Sequence, residues 1–244
     1  MAVQLSIGDG ADARKIRIDT PEPPEGLPYA EVEDFRAREL LRVNGIALTP
    51  EALVLTLADD EEALQSAAAH TLGSLGSRAA IPALAKLASA SDDVAKVEAA
   101  YALARLGADD GREILRQCLT YPVGAYLSPS MAAGYLAQLD DPEGFSVVVR
   151  CLEVDNVIVR VVACKQLFFF APFHGALTSD GDPIDVFVQF ERALGDPYRD
   201  VQWATLVQLR ELRAQESRRI LEDYARGPAD EYQREVAQGI LNGL

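Results

Sequence analysis

The sequence predicts an all-α chain, a right-handed α-solenoid of about six short helix pairs preceded by a capping helix. Three observations lead there. The segment ALQSAAAHTLGSLG at 63–76 carries a small-x-x-x-Leu-x-x-Leu skeleton that returns five times further along. Its middle leucine falls at Leu72, Leu103, Leu136, Leu167, Leu209 and Leu241, at intervals of 31, 33, 31, 42 and 32 residues. Two neighbouring columns keep the same step, which one chance leucine alignment would not do.

Those columns describe one face of a helix. Four residues before each leucine stand Ala68, Ala99, Ala132, Ala163, Thr205 and Ala237; three residues after it stand Leu75, Leu106, Leu139, Phe170, Leu212 and Leu244. Small side chains let two helices approach closely and large ones fill the gaps beside them. Each such helix is therefore the second of a pair.

A shorter apolar segment precedes each one and supplies the first helix: LTPEALVLTLA, IPALAKLAS, REILRQCL, EGFSVVVRCLE, DPIDVFVQFERAL and SRRILEDYA. Thr49 followed by Pro50 reads as an N-cap with proline at the first helical position, and Asp141-Pro142 and Asp182-Pro183 repeat that signature. Gly76 and Gly107 suit helix exits, where a left-handed residue is needed.

Residues 1–48 depart from the repeat. VQLSI and RKIRI, separated by GDGADA, can pair as a small hairpin, the alternative being a flexible arm. Pro21, Pro23, Pro24 and Pro28 mark a linker, and residues 29–43 form an amphipathic helix through Val32, Phe35, Leu40 and Val43. The organisation expected is an arm and capping helix at 1–48, then one repeat domain at 49–244. The long interval between Leu167 and Leu209 places an insertion at about 171–183.

At this point a family can be named. LADDEEALQSAAAHTLGSLGSRAAIPAL at 57–84 resembles the short HEAT repeats found in the phycobilisome bilin lyases, and residues 139–167 and 194–212 carry the same pattern. The family's Val-Arg pair opening the second helix is matched by Val159-Arg160. It is matched weakly by Ala95-Lys96 and Gln233-Arg234, and lost at Leu64-Gln65, Ser128-Pro129 and Val201-Gln202. The resemblance implies a HEAT-repeat fold over 49–244. It leaves open either a non-catalytic protein-binding module, such as an adaptor, inhibitor or immunity-type scaffold, or a relative of the lyases that attach chromophores to phycobiliproteins.

Composition narrows the choice. Lys and Arg number 23 against 38 Asp and Glu, a formal charge of −15, so the surrounding field repels phosphate backbones and anionic membrane surfaces. Nucleic-acid and membrane binding are disfavoured, and the charge balance contradicts the basic groove by which HEAT-like DNA glycosylases hold DNA. A partner protein with a basic or apolar surface is expected. The three cysteines, Cys118, Cys151 and Cys164, lie unpaired in apolar stretches and read as reduced core thiols of a cytoplasmic protein. The two histidines, His70 and His174, fall in different repeats, and no HExxH, CxxC pair, Walker loop, GxSxG or GxGxxG occurs. No catalytic residue, metal site or cofactor is assigned, and the chain is not expected to be an enzyme.

Helical geometry points to the binding face. At 100° per residue, positions two before the small column and two and five after it face away from the packed side. They are Ser66, His70, Gly73; Val97, Tyr101, Ala104; Ser130, Gly134, Ala137; Val161, Lys165, Phe168; Trp203, Val207, Arg210; and Glu235, Gly239, Asn242. Val97, Tyr101, Val161, Phe168, Trp203 and Val207 put large apolar groups on this inner face and are the candidate partner-binding residues. Either the stripe is an interface or curvature closes it into ordinary core. The charge reading is checked by a DNA titration at physiological salt, where no binding to duplex is expected; micromolar, salt-sensitive binding would overturn it.

Overall fold

The computed structural model describes residues 4–6, 15–17, 19–24, 26–90, 93–227, 229 and 231–243, and in it the repeat columns become buried faces of helices. The first column, Ala68 through Ala237, is buried at every position; the second is buried from Leu72 to Leu209 and half-buried at Leu241. The third is mixed. Leu106 and Phe170 are buried, Leu139 and Leu212 half-buried and Leu75 exposed, while Leu244 lies outside the described residues. The chain divides into two compact units, 1–115 and 116–244.

In the first unit, strands β1 (Gln4–Ser6) and β2 (Lys15–Arg17) pair antiparallel with Leu5 opposite Ile16; the expected turn at 8–13 lies outside the described residues. Helices α1 (Tyr29–Val43), α2 (Pro50–Thr56), α3 (Glu62–Ser74), α4 (Ile81–Ala90) and α5 (Val94–Arg105) follow, then most of α6 (Asp110–Cys118). The Asn44 side chain accepts from the Arg17 amide at 2.9 Å and donates to the Arg17 carbonyl at 2.8 Å, tying β2 to the end of α1. Leu41 of α1 shares one core with Leu53, Leu72, Leu84 and Leu103. Asp34 meets His70, and Arg38 meets Ser74 at 3.1 Å, so α1 runs parallel along α3 as a second-type helix without a first.

The second unit continues with α7 (Ser128–Gln138), α8 (Phe145–Cys151), α9 (Val157–Phe170), α10 (Val186–Leu194), α11 (Arg199–Leu212), α12 (Gln215–Arg226) and α13 (Glu231–Gly243). Leu136, Cys164, Leu167, Phe170, Phe190, Leu209 and Leu221 fill its interior. Phe170 stacks on Phe145 and Phe173 with ring centroids 5.4 and 6.5 Å apart, so part of the aromatic cluster packs around the point where the repeat lengthens. The insertion leaves the stack as an exposed loop. Its neck is a small hairpin in which the Gly175 amide donates to Ile184 and the Ile184 amide to Ala176.

Helix signals are met with one correction. Thr49 accepts from the Ala52 amide at 3.3 Å and Asp141 from Glu143 at 3.1 Å, and Gly76 and Gly107 hold φ of +68° and +76°. Asp182-Pro183, however, does not open a helix: it belongs to the hairpin, and Asp185 caps α10 through the Val188 amide at 3.2 Å. Gly111 was not singled out in the sequence, yet it sets how closely α6 lies on α5. A Cβ there would fall on the backbone of Ala104 and 2.7 Å from the Ala100 carbonyl oxygen.

The Val-Arg motif acquires a physical meaning in α9. The buried Arg160 guanidinium donates to the carbonyls of Val154 at 2.6 Å and Asp155 at 3.0 Å and to the Asp196 carboxylate at 2.8 Å, with the Tyr198 ring 5.0 Å away. It thus clamps the loop before its own helix and the loop before α11. At two of the three places where the motif is lost, glutamine keeps part of this role. Gln65 and Gln202 donate to the carbonyls of Asp59 and Asp196, each six residues earlier, just as Arg160 reaches Val154.

Truncating Leu136 to alanine should cost about 2 to 5 kcal/mol in a denaturation curve followed by helical circular dichroism, because it empties a fully buried position. A change under about 0.5 kcal/mol would contradict the register. Replacing Arg160 by alanine removes its bonds to the half-buried Asp196 carboxylate and to two loop carbonyls and should cost about 2 to 3 kcal/mol. Gln202→Ala, which loses one neutral hydrogen bond, should cost about 1 kcal/mol on the same curve.

Candidate functional site

The candidate residues separate by unit. In the first, Val97 is 0% exposed and Tyr101 6% exposed, so neither is accessible to a partner, which corrects the expectation for these two. The physical reason is that α5 packs against α3, α4 and Gly111 of α6, and eight of its 12 residues are buried. The seam is tight. A Cβ on Gly73 would stand 2.9 Å from the Ala102 Cα, so Gly73 lies between α3 and α5 and not on an open face.

What remains of the first unit's inner face is polar and internally paired. His70 is buried, its Nδ1 2.9 Å from Glu98 Oε2 and its Nε2 2.6 Å from Asp34 Oδ1; Arg105 donates to the same Asp34 oxygen at 3.2 Å and lies 5.5 Å above the Tyr101 ring. Burial alone would lower the His70 pKa, but the Glu98 charge and the hydrogen bonds to Asp34 and Glu98 outweigh it and raise the pKa to about 10. With a carboxylate on each nitrogen, this imidazolium has no lone pair for general-base chemistry at neutral pH. His174 lies in the other unit, edge-on to Phe187 with centroids 4.9 Å apart and 3.8 Å from Asp185.

In the second unit the stripe faces outward. Val161 and Phe168 of α9 and Val207 of α11 are half-buried, and Trp203 of α11 is 49% exposed. The two helices lie side by side, joined by Arg160–Asp196 and by the Thr205 hydroxyl, which reaches Cys164 Sγ at 3.5 Å. Val161 rests on the small core of Cys164, Ala193, Val201 and Ala204, and Phe168 meets Phe169 edge-on. Structure adds Ile158, 60% exposed and one turn before Val161, and Tyr198, 53% exposed beside Arg160. Ile158 was legible as the i−3 neighbour of Val161; Tyr198 was not, since it precedes α11 and is held there by its contact with Arg160.

The remaining buried groups are inert by environment. Burial pushes the Cys151 thiol up to about 11 and the Cys164 thiol to about 12, well away from thiolate chemistry. No described helix is long and apolar enough to cross a membrane.

Comparison with known proteins bears on the fold. The family model for HEAT repeats matches residues 50–128, which span α2 to the start of α7. No curated protein matches the sequence. Among solved structures, the complex of CpcE and CpcF of phycocyanin lyase from Nostoc sp. PCC7120 aligns at 17% identity over 91% of this chain and 97% of that one, with a TM-score of 0.45. A designed armadillo repeat protein in complex with a (KR)4 peptide aligns at 16% identity over 79% and 98%, with a TM-score of 0.46. An engineered protein aligns at 18% identity over 79% and 95%, with a TM-score of 0.45. At these values no activity or ligand carries over. The family match identifies HEAT repeats over residues 50–128, and the helix pairs with their buried columns carry the same helical-repeat pattern through the second unit.

Proposed function

We propose that the chain is a non-catalytic protein-binding module that takes its partner on the outward face of α9 and α11. The observation that carries this reading is Trp203: a large apolar ring, 49% exposed, on a helix whose opposite face is fully buried at Ala204, Thr205 and Leu209. It does little for the fold where it stands. Tryptophan and tyrosine are enriched among the residues that dominate interface energies, and charged side chains are depleted from interface centres. Ile158, Val161 and Phe168 of α9 and Val207 of α11 add partly exposed apolar groups on the same two helices.

The formal charge of −15 supports a partner that brings basic groups around an apolar centre, since opposite fields speed encounter and like fields suppress it. An adaptor, an inhibitor and an immunity-type scaffold all fit this chemistry. No feature of the described residues favours chromophore attachment over partner binding.

Trp203 tests the reading twice. Its emission in the isolated protein should be red-shifted and should move to the blue when a partner recovered by affinity purification from the native cell is added. Trp203→Ala should weaken that complex by about 2 kcal/mol or more, while shifting stability by under about 1 kcal/mol, as befits a surface site. Blue emission from the start, with a stability loss of about 3 to 5 kcal/mol on truncation, would place the ring in the core and sink the proposal.

A further inference from the structure

We infer that Asp34, His70 and Glu98 form a charge clasp that holds α1 against the repeat helices, and that removing it frees α1 while α2 to α5 stay folded. The clasp spans three helices: Asp34 stands on α1, His70 on α3 and Glu98 on α5. Its hydrogen bonds, 2.6 Å from His70 to Asp34 and 2.9 Å to Glu98, converge on one buried ring. Asp34 also takes the Arg105 guanidinium of α5 at 3.2 Å, so a single carboxylate anchors α1 to both of the helices behind it.

Apolar packing shares the work, with Ala37 and Leu40 of α1 resting half-buried on the core. The buried large apolar residues of α1 are Val32 and Leu41, whereas α3 and α5 are joined along whole columns of alanine and leucine. Between α1 and α3, beside His70, runs a cleft of about 280 Å³ bordered by Glu33, Arg36 and Ala37 on one side and Ala63 and Ser66 on the other. Beside this cleft the charged contacts, not apolar packing, bridge α1 to α3. Such a joint is sensitive to loss of any member, because removing one partner leaves an uncompensated charge beside a buried ring.

Charge on the ring is set by its surroundings. Glu33, Asp34, Arg36 and Arg38 face it from α1, and Glu98, Tyr101 and Arg105 from α5. Because the folded His70 pKa lies at about 10, above its ordinary 6.5, its stabilisation is complete below pH 6.5 and is lost as pH rises through about 10. Burial would raise the Asp34 pKa, but the bonds and charges of His70 and Arg105 hold it below the ordinary 3.8, so its share is present above that pH and lost on acidification. Burial pushes the Tyr101 phenol up to about 12, so it stays neutral through the same range.

The test is amide hydrogen exchange of the full chain at pH 7, comparing wild type with His70→Gln and Asp34→Asn, together with an NMR titration of the His70 ring. In both variants exchange over 29–43 should accelerate on the order of tenfold or more, as expected for losing a charged hydrogen bond, while α4 and α5 keep their protection. The wild-type ring should titrate near pH 10. If His70→Gln does not fold, Asp34→Asn decides alone, since it removes only the α1 half of the clasp. Unchanged exchange over 29–43, a uniform loss of protection from α1 through α5, or titration near 6.5 would overturn the inference.

Discussion

A pair of short helices has too little apolar surface to close on itself, so every repeat must bury its second helix against the second helix of a neighbour. That demand is met only if the backbones come close, and closeness is bought with side-chain volume. Hence the unbroken column of alanine and threonine from Ala68 to Ala237, buried at each turn, and Gly73, where a single added carbon would press on Ala102. The leucine column then fills the space that the small residues leave beside them. Loop clamps follow from the same geometry. Closely stacked helices bring successive loops together, and the exposed carbonyls of those loops need donors, which Arg160, Gln65 and Gln202 supply from the first turn of the following helix.

What the stack does not cover is where function can reside, and the two units resolve this differently. In the first, the inner positions of α3 and α5 are closed by their own neighbours and by a paired cluster of charge, so little apolar surface remains for a partner. In the second, α9 and α11 bury one face on Cys164, Ala204 and Leu209 and leave Ile158, Val161, Val207 and Trp203 turned outward. A partly exposed apolar face on a chain of formal charge −15 favours a protein partner over nucleic acid.

The helix pairs were legible because burial in a helix recurs with a fixed period, and the small and leucine columns follow that period through six repeats. Leu75 broke the third column although Leu106, followed by a left-handed glycine in the same way, keeps it, so the glycine turn alone does not decide the burial of this position. The inner face was half legible. Phase alone gave Val161, Phe168, Trp203 and Val207, which are partly exposed, yet it could not register that the packing around α5 buries Val97 and Tyr101. The Asp34–His70–Glu98 cluster was invisible for another reason: its members are 36 and 28 residues apart, follow no repeat column and meet only after the helices pack. Arg160 could be read as a motif, whereas the equivalent role of glutamine needed the carbonyls to be in place.

The central claim, that partner recognition belongs to the α9–α11 face and not to the inner positions of the first unit, is tested most directly by site-specific photocrosslinking in the native cell. A photoreactive residue is placed singly at Phe168, Trp203 or Tyr101. The account predicts that positions 168 and 203 capture the same partner and that position 101 captures none. Capture from position 101, or silence at both 168 and 203 with the protein folded and its partner present, would contradict it.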